Sequence, residues 1–263
     1  SILADGDASR QKVTFFVIEA AVAVSIPMDR EVIHVLPQQF IVDDEPGIQN
    51  PVGMAGVRLE AKIHIVTGAV TSAHNIVKCA NRSGLDVCDI VLESLASGEA
   101  VLTEEEKELG AGLLDLGGGT TDLAVFSEKN IKHTFVLALG GNNLTNDIAV
   151  GLRAPIAEAE KIKKKFGSCL SRTIHGEETL EVPGMGGSKP RTLPRQILGE
   201  ILEPRMEEIF EMLRERLADV PAMRQGIRRV VLTGGGSQLN GVEQLAGEML
   251  RRETRENAAS IAV

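Results

Sequence analysis

The stretch LLDLGGGTTDLAVF, residues 113–126, sets three consecutive glycines between two apolar runs. Glycine weakens a strand interior, so three together mark a place where the backbone turns tightly or approaches something closely. The flanking runs read as a hairpin, strands 111–116 and 121–127, with a third strand over 131–138. Asp115 puts a carboxylate at the end of the first strand. Gly117, Gly118 and Gly119 bare the backbone, and successive N–H groups in a tight turn form a concavity for an anion. Thr120 and Thr121 add hydroxyl donors. A carboxylate beside a phosphate needs a divalent cation between them, and Asp115 with Asp122 can hold one, directly or through water. A plain glycine-rich hairpin would need none of these side chains, so their joint occurrence favours phosphate. The turn is not a dinucleotide fingerprint, because Asp122 stands where the last glycine belongs and a strand follows instead of a helix. G-K-[ST] occurs nowhere in the chain, which excludes a Walker loop.

A second triple glycine lies in VVLTGGGSQLNG, residues 230–241. Here an apolar strand runs into Gly234, Gly235 and Gly236, and the pattern predicts a helix from about Ser237 with Leu239, Val242, Leu245, Ala246 and Met249 on its buried face. Such a helix start offers free N–H groups and a positive dipole end, and the glycines let a flat ring or a ribose lie on backbone. Taken alone, a tight strand-to-helix connection explains the turn equally well; the pair of turns suggests two sides of one nucleotide cleft. Between them, residues 155–166 read as a helix with Pro155 in its first turn. Ile156, Ala159, Ile162 and Phe166 pack, while Glu160, Lys163, Lys164 and Gly167 share another face. On spacing alone that face is a solvated ion pair, Glu160 with Lys164.

The rest of the chain sets bounds. Its 263 residues, 43% hydrophobic, allow one large domain or two ordinary ones. Twenty-eight Lys and Arg against 37 Asp and Glu give a net charge of −9, which argues against a non-specific polyanion binder. There is no Trp or Tyr to stack bases, so no nucleic-acid partner is expected. Three cysteines, Cys79, Cys88 and Cys169, follow no disulfide framework and suggest reduced thiols in a cytosolic setting. His34 and His64 read as polar-face strand residues. No apolar run reaches the length of a membrane span, and the opening SILADGDASRQ is not a secretory signal.

Residues 13–24 read as a helix. EVIHVLPQQFIVDD and VRLEAKIHIVTG read as long strands, the second with Val57, Leu59, Ala61, Ile63 and Ile65 on one face. Together they predict a small α+β module over 1–67. A helix over 72–82 should turn Ile76, Val77 and Ala80 inward and stop at Gly84. Residues 87–102 read as a short strand and a helix, TEEEKELG as a charged linker, and 167–191 as short strands and loops. Two helices over about 192–203 and 205–217 should be broken or kinked at Pro204.

The two glycine turns and the helix between them resemble, in this order, the actin, sugar-kinase and heat-shock-chaperone ATPase superfamily. DREVIHVLPQQFIVDDEPGIQNPVGMAGVRLEAKIHIVTG, EVPGMGGSKPR and TLPRQILGEILEPRMEEIF resemble the bacterial FtsA cell-division family, and the match covers nearly all of residues 15–250. The resemblance implies an α/β, actin-like (ribonuclease-H-like) nucleotide-binding fold with the small α+β module inserted near its N-terminus. It implies ATP and Mg, with Asp115 on the metal, Gly117 to Thr121 on the phosphates, and Gly141, Asn142, Glu160, Lys163, Lys164, Gly234 to Gly236 and Ser237 also on the nucleotide. At most a weak ATPase is expected.

It implies an adaptor that links the FtsZ ring to the inner face of the cytoplasmic membrane, recruits other division proteins and self-associates into filaments through residues 1–67. Residues 68–109 would be a remnant of the first actin-like subdomain, and 110–142 with 205–263 the second. Residues 143–204 would be a small subdomain that docks the FtsZ C-terminal tail; Arg191, Arg195 and Glu203 would contact it, or be ordinary surface charges. The family's first phosphate motif has no counterpart before residue 111, and RRETRENAASIAV lacks the apolar face of the family's lipid-binding helix. A fragment with a half-built cleft, reduced nucleotide affinity and no membrane contact of its own is therefore expected. A pilus-assembly adaptor and a sugar or acetate kinase are the alternatives of the same fold.

Overall fold

The computed structural model describes residues 26–184, 189–219 and 229–256. The reading of residues 13–24 as a helix lies outside them. Two compact units divide the chain: the first holds residues up to Ala96 with Asn130–Lys132, the second Ser97–Lys129 and residues from His133 onward.

In the first unit, β1 (Arg30–Val42), β2 (Glu45–Ile48) and β3 (Leu59–Ala69) form an antiparallel sheet in the order β2-β1-β3. The register of β1 on β3 shifts beside Pro37, which has no N–H to give to a ladder. Asp43 and Asp44 turn β1 into β2 with positive φ of 49° and 72°. Asp43 Oδ1 accepts from the N–H groups of Val57 and Arg58, both at 2.8 Å, tying that turn to the approach of β3. Helix α1 (Val70–Arg82) follows without a loop. It buries Ala73, but Ile76, expected to face inward, is 72% exposed. His34 does more than sit on a polar face: its Nε2 accepts from Leu92 N at 2.9 Å. Residues 87–92 form no strand.

The second unit begins at Ser97, within α2 (Glu93–Val101), and continues into α3 (Glu104–Leu109), where a linker was expected. Thr103 and Glu106 make a reciprocal capping box that starts this helix. The central sheet has the order β10-β9-β4-β5-β6, from β4 (Ala111–Leu116), β5 (Thr121–Ser127), β6 (Asn130–Leu137), β9 (Arg229–Thr233) and β10 (Glu253–Glu256). β4 runs antiparallel to β5 and parallel to β9. Helices α4 (Gly141–Gly151), α5 (Ile156–Phe166), α6 (Gln196–Asp219) and α7 (Val242–Leu250) contribute to one core with the sheet, including Leu114, Val125, Ile148, Ile162, Phe210 and Leu232. β7 (Thr179–Val182) and β8 (Arg191–Pro194) form a separate antiparallel pair.

Helix α6 corrects the expected break. It runs unbroken for 24 residues with Pro204 inside it, and residues 191–194 before it are strand. Leu198, Leu202, Met206, Ile209, Leu213 and Leu217 form a buried stripe on both sides of Pro204. That packing outweighs the one hydrogen bond proline omits. Pro155 stands at the N-cap of α5, one position before the first-turn place expected and without a side-chain capping bond, and Ile156, expected to pack, is 63% exposed. Among the described residues no helix is long and apolar enough to cross a membrane.

Candidate functional site

Parallel pairing of β4 with β9 sets Asp115 opposite Thr233, so both glycine turns leave the sheet at the same end of the strands. Leu116 pairs with Thr121, which leaves residues 117–120 as the hairpin loop. That loop seats on the start of α4: Gly141 N donates to Gly117 O at 2.9 Å and Asn142 N to Gly118 O at 2.7 Å. A Cβ on Gly140 would stand 2.7 Å from Gly117 O, so the approach requires glycine there. The sequence reading missed Gly140, because its need arises from a partner more than a strand away. These two N–H groups of α4 hold the hairpin and so are already committed.

The second turn lies against the end of β4. A Cβ on Gly234 would stand 2.3 Å from Asp115 Oδ1, and one on Gly236 would stand 2.8 Å from Leu116 O. The helix expected at Ser237 starts later: Gly235–Gln238 is a single 3₁₀ turn, Gly241 takes φ +79°, and α7 opens at Val242. The chain after α5 is bound to this turn by Cys169 N donating to Asn240 O at 2.7 Å.

Together these elements enclose a cavity of about 420 Å³. Gly117 and Gly118 line it from the hairpin, Gly141 and Asn142 from α4, and Glu160, Lys163 and Lys164 from α5. Gly235 and Gly236 complete it with Gln238, which the sequence reading did not single out, and Leu239, which it placed on the packing face of a helix.

The other expected residues sit around this wall. Thr121 is buried and its hydroxyl donates to Leu139 O at 2.8 Å; Ser237 is buried and donates to Gly234 O at 2.8 Å. Both hydroxyls therefore brace the turns. Thr120 donates to Asp122 Oδ2 at 2.7 Å. A Cβ on Gly119 would meet open space. Asp115 and Asp122 are opposed in the β4–β5 register. Burial, and then the Asp122 charge, push the Asp115 carboxyl up, while Ser97 Oγ, 3.4 Å away, opposes that. Two crowded carboxylates of this kind are relieved by a bound cation. Among the described residues no group of three or more His, Cys, Asp or Glu is arranged to hold a metal.

Lys163 is buried, contrary to a solvated face. Its ammonium lies 2.7 Å from Glu160 Oε2, and Lys164 approaches Glu160 Oε1 at 3.3 Å. Burial raises the Glu160 pKa, but bonds from Lys163, Thr145 and Lys164 prevail and hold it at about 2. Glu160 thus stays a carboxylate.

The three residues expected at a partner surface have internal partners. Arg191 donates to Leu152 O. Arg195 donates to Phe166 O at 2.9 Å and pairs with Glu178, whose carboxyl it holds low. Glu203 accepts from Ser171 N at 2.9 Å and from its hydroxyl. Cys79, Cys88 and Cys169 are free thiols; burial pushes Cys169 up to about 12.

Solved structures share this architecture. MreB5 of Spiroplasma citri bound to ADP superposes with a TM-score of 0.61 at 22% identity, over 73% of this chain and 62% of that one. The PilM–PilN type IV pilus biogenesis complex gives 0.63 at 16% identity, over 94% of this chain and 62% of that one. The fold is therefore actin-like. The family model of cell division protein FtsA matches residues 112–262, and that of the SHS2 domain inserted in FtsA matches residues 9–67. The chain belongs to the FtsA family. It is 46% identical to cell division protein FtsA of Pseudomonas aeruginosa over 91% of this chain, and 39% identical to that of Escherichia coli K12 over 92%. The chain spans 57% and 59% of the length of these two relatives.

Proposed function

We propose that this chain is the nucleotide-binding part, with the inserted module, of an actin-like cell-division adaptor, and that it binds ATP with Mg in the cavity between the two glycine turns. The observation that carries the reading is the convergence of both turns and the Glu160–Lys163–Lys164 face of α5 on one cavity of about 420 Å³, within the ~300–1,000 Å³ range of small-molecule sites. The bare backbone at Gly118 and Gly235 fits a closely approaching ligand: a Cβ on Gly118 would come no nearer than 3.7 Å to Asn142, and one on Gly235 would meet open space. The ADP and AMPPNP carried by MreB5 in its crystal structures support the same choice.

Each group then has a task. Backbone of Gly117 to Gly119 receives the phosphates, and the Thr120 hydroxyl would join them by turning its one proton away from Asp122 Oδ2. Asp115, eased by the cation, holds the metal. Glu160, with Lys163 and Lys164, faces the nucleoside. A bound Mg-nucleotide would supply positive charge for the Asp115–Asp122 pair and a bridge between hairpin and second turn. The resemblance to a family of FtsZ-ring adaptors supports filament contact through residues 1–67 and docking of an FtsZ tail on residues 143–204. The adaptor would work at the inner face of the membrane. Because Arg191, Arg195 and Glu203 are internally bonded, a tail would have to compete for them. A pilus adaptor is less favoured: the pilus structure shares the fold at 16% identity, against 39–46% for the FtsA relatives.

Calorimetric titration with MgATP tests the site. Asp115→Ala should weaken binding at least tenfold, while Asp43→Ala, in the first unit, should leave it unchanged; equal effects would remove the metal assignment. An FtsZ C-terminal peptide that shows no binding at millimolar concentration would remove the partner.

A further inference from the structure

We propose that Thr145, on α4, is a positioning residue for the nucleotide: its hydroxyl joins Glu160 and Lys163 so that Lys163 serves the site from behind and Glu160 presents the other oxygen of its carboxylate, Oε1. This rests on the reading that the cavity takes ATP.

Thr145 is buried, at 4% exposure. Its Oγ1 lies 2.7 Å from Lys163 Nζ and 3.0 Å from Gly141 O, and it also contacts Glu160 Oε2. A hydroxyl has one proton and two lone pairs. It therefore accepts from Lys163 and gives its one proton to Glu160 Oε2, since a carboxylate is a stronger acceptor than the Gly141 carbonyl. Lys163 Nζ lies 2.8 Å from Gly141 O, 2.7 Å from Thr145 Oγ1 and 2.7 Å from Glu160 Oε2. An ammonium has three N–H donors, and three protein oxygens take them. Lys163 thus gives a ligand its charge and leaves hydrogen bonding to others. Glu160 lines the cavity; its Oε2 is likewise committed, to Lys163 and Thr145, which leaves Oε1, 3.3 Å from exposed Lys164, as the oxygen with capacity for a ligand. Without the hydroxyl, Lys163 has an unused donor and Glu160 a freed oxygen, and both side chains can turn.

The test is calorimetric titration of the purified chain with MgATP, with urea melts to confirm folding. Thr145→Val should weaken binding about tenfold and Thr145→Ser by less than about twofold, the loss of one hydrogen bond to charged groups against its retention. In a Glu160→Gln background the Val substitution should cost less than about twofold, because its effect runs through Glu160. If Val does not fold, Thr145→Ala takes its place; if Glu160→Gln binds too weakly to titrate, the contrast with Ser decides. Unchanged affinity for a folded Val variant, a Ser variant as weak as Val, or a tenfold loss undiminished by Glu160→Gln would overturn the proposal. No MgATP binding by the unaltered chain would overturn the nucleotide reading beneath it.

Discussion

At Gly234 two constraints meet. The residue holds φ +83°, and a Cβ there would fall 2.3 Å from Asp115 Oδ1 and 2.7 Å from Leu116 O. Left-handed backbone strains any L side chain, and a carbonyl oxygen cannot step aside. Gly234→Ala should therefore cost about 2 kcal/mol or more of stability in urea denaturation. Gly235→Ala is the control: its Cβ meets open space in the structure, so stability should change by less than about 1 kcal/mol. Adjacent glycines that look alike in sequence thus have opposite reasons to be glycine. The triple glycine was visible along the chain, but which member packs on the strand and which faces the cavity was not, since that depends on β4 lying beside β9.

The short helix α3 shows the same at the scale of an element. TEEEKELG reads as a charged linker, yet Thr103 and Glu106 at capping-box spacing start a helix, and that signal was available. What the spacing could not disclose is Arg255, on β10. Its guanidinium is the main influence that, against the cost of burial, holds the Glu106 carboxyl at about 2, with Thr103 and Arg229 assisting. Glu106 is 8% exposed. Because the folded pKa lies below that of the unfolded chain, its stabilisation is present above about pH 4.5 and is lost as pH falls toward about 2. The drop amounts to about 3 kcal/mol for a shift of this size. Urea melts from pH 6 to pH 2.5 should show that loss, and Glu106→Gln should flatten it while lowering stability at pH 6. In α6, exposed Pro204 leaves one backbone carbonyl without its helical donor, so Pro204→Ala should raise stability by about 1–3 kcal/mol in the same assay.

For the whole molecule, ligand linkage gives the broadest test. MgATP at a hundred times its dissociation constant should stabilise the folded chain by about 2.7 kcal/mol. Hydrogen exchange should show the added protection in the hairpin after β4, α4, α5 and residues 234–241, and not in β1–β3. Protection centred on β1–β3 would place the ligand elsewhere. Much of this layout was legible beforehand. Apolar runs and glycines located the strands and both turns, because hydrophobic period and backbone freedom are local properties. The inward turn of Ile76, the break at Pro204 and the helix start at Ser237 were misread, because packing against distant elements decides burial, helix continuity and where a turn ends.

By itself the sequence determined where the chain bares its backbone, which carboxylate and hydroxyls accompany those places, and the family whose pattern they match. Only the tertiary structure decided that the two turns share one cavity, that Lys163 is buried and bonded to protein oxygens, and that the Thr121 and Ser237 hydroxyls brace backbone. The reason is physical: propensity and spacing act over a few residues, whereas a cavity is made by strand order, which brings together side chains that no local rule connects.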